Sequence, residues 1–374
     1  VSGFKHLFQR ALAAAPDRLH FAAHSHHLWP DASWLGQQAA WEDAARLADR
    51  KWGRVMEDIW PAAQAEAAAE LGLPDPSTIV FASNTHELLV RVASAMGAAR
   101  PLRILASDGE FHSFRRQSRR WEEAGSAIVT RVPIETLVET ARGGGFDWIV
   151  ASQVQFGTGH VFDGIAHLAA LARPEGPWVL IDGYHGFMAI ETDLAAVADR
   201  VFYVAGGYKY AMAGEGVGFL HAPPGYGPRP EITGWYAEFE DLALPPGTIG
   251  YAPDARRFLG ATFDPSGLYR FVAVRAMLAR EGLTTAAVNA HVAPLRAQLL
   301  DGFPLDAERL NPAAADAPQA RFVALRSQHA AAWQAALARD DIVTDVRGDV
   351  LRIGLGLYQD ARDVVRLRAA LAAL

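Results

Sequence analysis

Three lysines occur in the 374 residues, Lys5, Lys51 and Lys209, and one of them stands where covalent chemistry is possible. Lys209 lies in Ala205-Gly-Gly-Tyr-Lys-Tyr-Ala-Met-Ala-Gly214, directly after an apolar strand-like run. Glycines let a backbone approach a ligand closely. A lysine on a strand-end loop condenses with a carbonyl once its surroundings lower its pKa. The alternative is a solvated surface lysine. Lys5 and Lys51 precede the strand pattern, so any covalent lysine chemistry falls to Lys209.

Other segments carry compatible groups, each with a plainer alternative. The run Trp178-Val-Leu-Ile-Asp-Gly-Tyr-His185 ends a strand in Asp182, with His185 three residues on. An acid at the carboxyl end of a strand points into a ligand crevice and can keep a ring nitrogen protonated; it can equally cap a helix. In Ser83-Asn-Thr-His-Glu87, Asn84 and Thr85 open a helix, whose free N–H groups bind phosphate; simple capping is the other reading. Phe111 can stack on a flat ring or pack in the core. Arg352, among apolar neighbours, needs a partner: a ligand carboxylate or a structural salt bridge. His24, His26 and His27 invite a metal, but no flanking carboxylate set completes a site. Substrate contact or partial burial suits them better, and no metal is expected.

These segments need a scaffold that brings strand ends together. Strand-like runs at Thr78–Ser83, Arg103–Ala106, Ala127–Val132, Trp148–Ser152, Trp178–Ile181, Val201–Ala205 and Val217–His221 alternate with helical patterns at Glu87–Met96, Phe114–Ala124 and Ile165–Ala172. An Ala-rich helical stretch, Pro30–Leu73, precedes them. Such alternation predicts an α/β fold with a mostly parallel sheet flanked by helices. Past Asp264 the pattern changes to two long helices, Leu268–Glu281 and Thr285–Leu300. Short strands follow near Arg321–Leu325, Ile342–Val346 and Val350–Gly354, then a last helix at Ala361–Ala373. The expected division is an N-terminal segment (1–30) packing on the small domain, a large domain (31–264) and a smaller α+β domain (265–374).

Composition narrows the function. A net charge of −7 with no basic block argues against nucleic-acid binding. The apolar runs are too short to span a bilayer. The N-terminal residues lack a signal-peptide pattern, so a cytoplasmic location is expected. Absence of cysteine removes disulfides, thiolate metal sites and a cysteine nucleophile. A nicotinamide-type Rossmann site is disfavoured, since no Gly-x-Gly-x-x-Gly opens a helix after a strand.

Taken together, the segments resemble the class V aminotransferase family of fold-type I pyridoxal-5′-phosphate (PLP) enzymes, and within it kynureninase. The resemblance runs from about Ala22 to Tyr358. It rests most on Gly206-Gly-Tyr-Lys-Tyr-Ala-Met-Ala-Gly-Glu-Gly216, with support from Ser152-Gln-Val-Gln-Phe-Gly-Thr-Gly159, Gly234-Trp-Tyr236 and Arg256-Arg-Phe-Leu-Gly-Ala-Thr262. It implies that Lys209 is the Schiff-base lysine, that Tyr208 contacts the phosphate and assists proton transfer, and that Asp182 pairs with the pyridinium nitrogen. Phe111 would stack on the ring, His185 would lie beside it, and Arg352 would hold the substrate carboxylate. Trp235 and Thr262 would reach a neighbouring subunit's phosphate, which implies a homodimer. His24 and His26 would contact the substrate.

Three positions depart from kynureninase. Ala23-His-Ser-His-His27 replaces its entry motif, Met212 replaces an asparagine, and the Arg352–Tyr358 spacing fits the wider family better. The expected activity is hydrolysis of the Cβ–Cγ bond of a small amino acid, giving alanine and an aromatic acid. The alternatives are a class V aminotransferase or a C–S lyase type of β-lyase. A cysteine desulfurase is disfavoured for want of a cysteine. A PLP-fold protein that binds without turnover is disfavoured by the retention of Lys209 and Asp182.

Overall fold

The computed structural model describes residues 3–97, 100–241, 245, 247–312 and 317–374. A two-residue strand, β1 (Leu19–His20), precedes the main sheet. The runs that are apolar at almost every position become the middle of a seven-stranded sheet. Its strands are β2 (Ile79–Ala82), β3 (Leu102–Ser107), β4 (Ala127–Val132), β5 (Trp148–Ser152), β6 (Trp178–Asp182), β7 (Val201–Gly206) and β8 (Gly218–His221). All residues of β5 and β7 are buried, as in strands covered on both faces. The spatial order is β2-β8-β7-β6-β5-β3-β4. β8 runs antiparallel to both of its neighbours, and the other pairings are parallel. The expected mostly parallel sheet is therefore present, with one reversed strand that periodicity does not reveal.

β8 lies close to the helix Thr85–Ser94. A Cβ on Gly218 would stand 2.7–2.9 Å from backbone atoms of Asn84 and Thr85. Gly218→Ala should therefore push this turn away from the sheet at a cost of about 1–3 kcal/mol. The expected outcome is a lower thermal midpoint, read by calorimetry.

A second sheet, all antiparallel, has the order β12-β13-β10-β9, from β9 (Glu308–Arg309), β10 (Phe322–Arg326), β12 (Asp345–Arg347) and β13 (Val350–Gly354). β11 (Ile342–Val343) instead pairs in parallel with β1. The single strand expected over Ile342–Val346 is thus two, divided at the buried Thr344, because each half answers to a different partner strand. The Ala22–Gly354 bridge continues the link between the N-terminal segment and β13. The helix Asp31–Leu47 packs along Ser266–Arg280. The helical stretch expected over Pro30–Leu73 is broken at Ala48, whose φ is +53°, and by a π turn at Val55–Ile59. Pro61 follows that turn and has no N–H for the i→i−4 ladder, which favours the wider turn. Three α-helices escaped the sequence reading, Gln9–Ala14, Leu137–Arg142 and Ala330–Arg339. No helix among the described residues is long and apolar enough to cross a membrane.

Candidate active site

Six strands of the large sheet end on one side, and the loops after five of them build a cavity of about 180 Å³. Asp182 is the last residue of β6 and Ser152 the last of β5. Lys209 follows β7 by three residues, and Asn84 follows β2 by two. Phe111 comes four residues after β3. Ligands in open α/β sheets gather at these carboxyl ends. The structure brings Asn84, Thr85, Phe111, Asp182, His185, Tyr208 and Lys209 together around this one cavity.

The lysine loop is held at several points. Gly207 donates its N–H to Val217 O at 2.8 Å, and Ala213 donates to Gly207 O at 2.9 Å. A Cβ on Gly207 would stand 2.2 Å from the Val217 side chain, so the close approach requires glycine. His27 donates its N–H to Tyr208 O at 3.0 Å, tying the N-terminal segment to this loop. Met212 takes a left-handed conformation, φ +55°, in the turn that closes it. A side chain other than asparagine is accommodated there.

Lys209 is 5% exposed. Its Nζ lies 3.3 Å from His185 Nδ1 and 4.6 Å from the centre of the Tyr184 ring. Burial pulls its pKa down to about 7, helped by the charges of Arg352 and Arg347 and opposed by Asp182. A buried amine with a pKa near 7 has a substantial free-base, nucleophilic fraction at neutral pH, where an ordinary lysine has almost none. Burial raises the Asp182 carboxyl, while the Tyr184 N–H, donating at 2.9 Å, and the Lys209 charge oppose that rise. Asp182 thus closes a local turn rather than capping a helix. His185 is held well below its usual pKa by burial and by the Lys209 charge, so it is neutral. Burial also pushes the Tyr208 hydroxyl up to about 12.

The helix start is capped as the plainer reading allows. Asn84 Oδ1 accepts from Glu87 N at 3.0 Å, and Asn84 Nδ2 donates to Glu87 Oε1 at 3.1 Å. Thr85 and His86 line the cavity, and their N–H groups take no part in this cap. Phe111 lies 5.5 Å from Lys209 Nζ and packs edge-on against Phe156.

Other residues singled out in the sequence stand further back. Arg352 is buried, pairs with Asp345, and donates to Phe156 O. Of its two sequence readings, the salt bridge is the one this chain displays. Asp345 also pairs with Arg347 at 2.8 Å. His24 is fully buried, stacks on Phe322 and lies 3.5 Å from Asp345. His26 is exposed and stacks on Tyr208 at 4.9 Å. His27 turns away, with Nδ1 on Leu28 O. Trp235 and Thr262 are exposed and do not line the cavity of their own chain.

Sequence reasoning gave no site role to Tyr184, Ser152, Phe156 or Glu110. Tyr184 sits inside the Asp182–His185 motif, and Glu110 immediately precedes Phe111 at a strand end; those placements were the available signals. Glu110 is buried and accepts from Ser107 Oγ, from Ser152 Oγ at 2.6 Å and from Ser152 N at 2.9 Å. Burial nevertheless raises its pKa from 4.5 to about 7, with the Asp182 charge adding to the rise. A raised carboxyl contributes stability that is complete below about 4.5 and is lost as pH rises through about 7. Glu110→Gln should flatten that part of the stability profile, as measured by denaturant titrations across it.

No family model matches the chain. Its structure is similar to the cysteine desulfurase CsdA of Escherichia coli, with a TM-score of 0.80, 19% identity, and coverage of 99% of this chain and 97% of that one. It is similar to a cysteine desulfurase of Thermococcus onnurineus, with a TM-score of 0.80, 15% identity, and coverage of 100% and 98%. It is also similar to the cystine C–S lyase C-DES, in a complex with its product cysteine persulfide, with a TM-score of 0.78, 18% identity, and coverage of 96% and 99%. These matches show the fold, which is the fold-type I α/β architecture across nearly the whole chain. In sequence, 219 residues are 28% identical to isopenicillin N epimerase of Streptomyces clavuligerus. That match spans about half of this chain and about half of that protein, 53% of each.

Proposed function

We propose that the chain is a PLP enzyme acting on an amino acid, with Lys209 carrying the cofactor, and that it breaks a bond at the substrate's β-carbon as a C–S lyase does. The observation that carries this reading is the buried Lys209 amine, its pKa drawn down towards neutrality, facing Asp182 and Phe111 in one cavity at the sheet's carboxyl end.

The residues fit the cofactor. The Thr85 and His86 N–H groups suit a phosphate, Asp182 suits a protonated ring nitrogen, and Phe111 offers a ring face between them. When bound, the cofactor supplies an electron sink for charge developing at the substrate's α-carbon. Lys209, displaced by the substrate's amino group, is the base for the α-proton, and a pKa near 7 suits that work. His185 accepts a hydrogen bond from Lys209 and limits where its amine can swing. Arg352 takes the substrate carboxylate in exchange for Asp345, which keeps Arg347 as its partner.

The similarity to C-DES and to the desulfurases supports the lyase reading. A sulfur relay through the chain's own cysteine is excluded, since the sequence has none. Kynureninase-like hydrolysis draws no support from these relatives and gives way to the lyase. The 28% identity to an epimerase favours a second reading, inversion at the α-carbon.

The test is addition of PLP to purified protein, borohydride trapping, and mass mapping of the labelled residue, followed by assay with cystine and S-substituted cysteines. A label on Lys209 with release of pyruvate and ammonia supports the lyase. A label with α-proton exchange and inversion, but no pyruvate, favours the epimerase. No label sinks both. By the same reading, exposed Trp235 and Thr262 complete a neighbour's phosphate site in a homodimer. An active monomer in sedimentation would refute that.

A further inference from the structure

A second, larger groove of about 1080 Å³ adjoins the cavity, and His86 and Ser113 line both. Five arginines line the groove, namely Arg115, Arg116, Arg119, Arg120 and Arg131, against two acids, Asp108 and Glu123. The chain as a whole is acidic, at −7, so this concentration runs against its average. Arg131 and Arg119 are occupied by Glu122. Arg115, Arg116 and Arg120 are exposed and have no carboxylate within ion-pairing distance among the described residues.

Further basic side chains lie between the groove and the site. His112, at the start of the arginine-bearing helix, packs on Phe156, and Arg352 donates to the Phe156 carbonyl from behind. Partial burial, with the charges of Arg115, Arg347 and Arg352, lowers the His112 pKa. A surface lined by one sign of charge and leading into a cavity steers and holds ligands of the opposite sign. The helix carries the arginines outward in order. Eight residues separate His112 from Arg120, roughly 12 Å along the axis. That is about the span of three to four extended residues.

We propose that the groove binds the distal acidic group of an elongated substrate: an amino acid whose side chain, roughly tripeptide-length in all, ends in a carboxylate. This rests on the PLP reading of the Lys209 cavity and adds the substrate class. A small molecule is favoured over an acidic protein partner because Ser113, two residues after the ring-facing Phe111, lines both the groove and the cavity, which puts the arginines beside the site where the substrate reacts.

The test uses holoenzyme and a series of S-(ω-carboxyalkyl)-L-cysteines, each paired with the S-alkyl-L-cysteine of equal length. Dissociation constants are read from the change in the visible band of the Lys209-bound cofactor, which requires no turnover. The expected result is tenfold or greater preference for the carboxylate at the longer lengths, falling as salt rises. In an Arg115→Gln, Arg116→Gln, Arg120→Gln variant the preference should fall to about threefold or less, with affinity for the neutral partners unchanged. These residues are exposed, and the neutral analogue reports on the integrity of the site. Equal affinity for both members of each pair, no response to either, or a preference that survives in the variant overturns the proposal. Tight, salt-sensitive capture of poly-glutamate without any carboxylate preference in the series would overturn it in favour of a protein partner. Failure of the PLP reading is distinct, since no visible band would then form in the parent protein.

Discussion

Lys209→Ala abolishes the borohydride-trapped adduct and lowers activity by roughly 10³-fold or more, because it removes both the attachment point and the base. The same position has an opposite effect on stability. The ordinary lysine pKa of 10.5 falls to about 7 in the folded chain. The folded state therefore bears the cost of a buried ammonium, in full below pH 7. That cost fades as pH rises from about 7 towards 10.5, where the unfolded lysine also loses its proton. Lys209→Met, which keeps most of the side-chain volume, should stabilise the apoprotein by about 4 kcal/mol at pH 6.5, and by little at pH 10.5. Thermal unfolding of apo Lys209→Met and parent at both pH values measures this. Equal midpoints at pH 6.5 would mean that Lys209 is not held as a costly buried amine. The pairing of lost activity with gained stability separates a functional lysine from a structural one, since a structural residue loses stability when replaced.

Asp182→Asn should lower kcat by roughly 10²–10³-fold, the effect of losing a charge-assisted hydrogen bond in a site closed to bulk water. The substitution keeps a side-chain oxygen to accept from Tyr184 N, so the turn after β6 survives. Its second consequence concerns protons. Asp182 raises the pKa of Lys209, and removing its charge lets that pKa fall further. The pH at which Lys209 becomes reactive should move down, visible as an acid-side shift in the rate of cofactor attachment. The charge of Asp182 also helps raise Glu110, so the Glu110 titration should move down with it. A loss of kcat without either shift would leave Asp182 as a packing residue. Both shifts without loss of kcat would remove it from the chemistry.

Much of the site was legible because each candidate belongs to a strand followed by its own loop. Asn84, Phe111, Asp182 and Lys209 lie far apart in the chain, yet each follows a strand of one parallel sheet, and parallel strands deliver their carboxyl ends to one edge. Local sequence therefore determined the residue types, the strand ends and the α/β class. What remained open were interactions between segments with no common local signal. Whether Arg352 meets a ligand or Asp345 depends on antiparallel pairing of β12 with β13, which sets Asp345 opposite Arg352. His24 reaches the back of the site only because β1 pairs with β11 and Ala22 bridges to Gly354. Ile342–Val346 is uniformly strand-like in sequence but is shared by two partner strands. The raised Glu110 carboxyl and the lowered Lys209 amine are products of burial, which only the assembled layers impose. The sequence by itself determined which groups are available and which strand ends present them. Tertiary structure decided their partners and protonation, because register and desolvation arise between segments rather than within them.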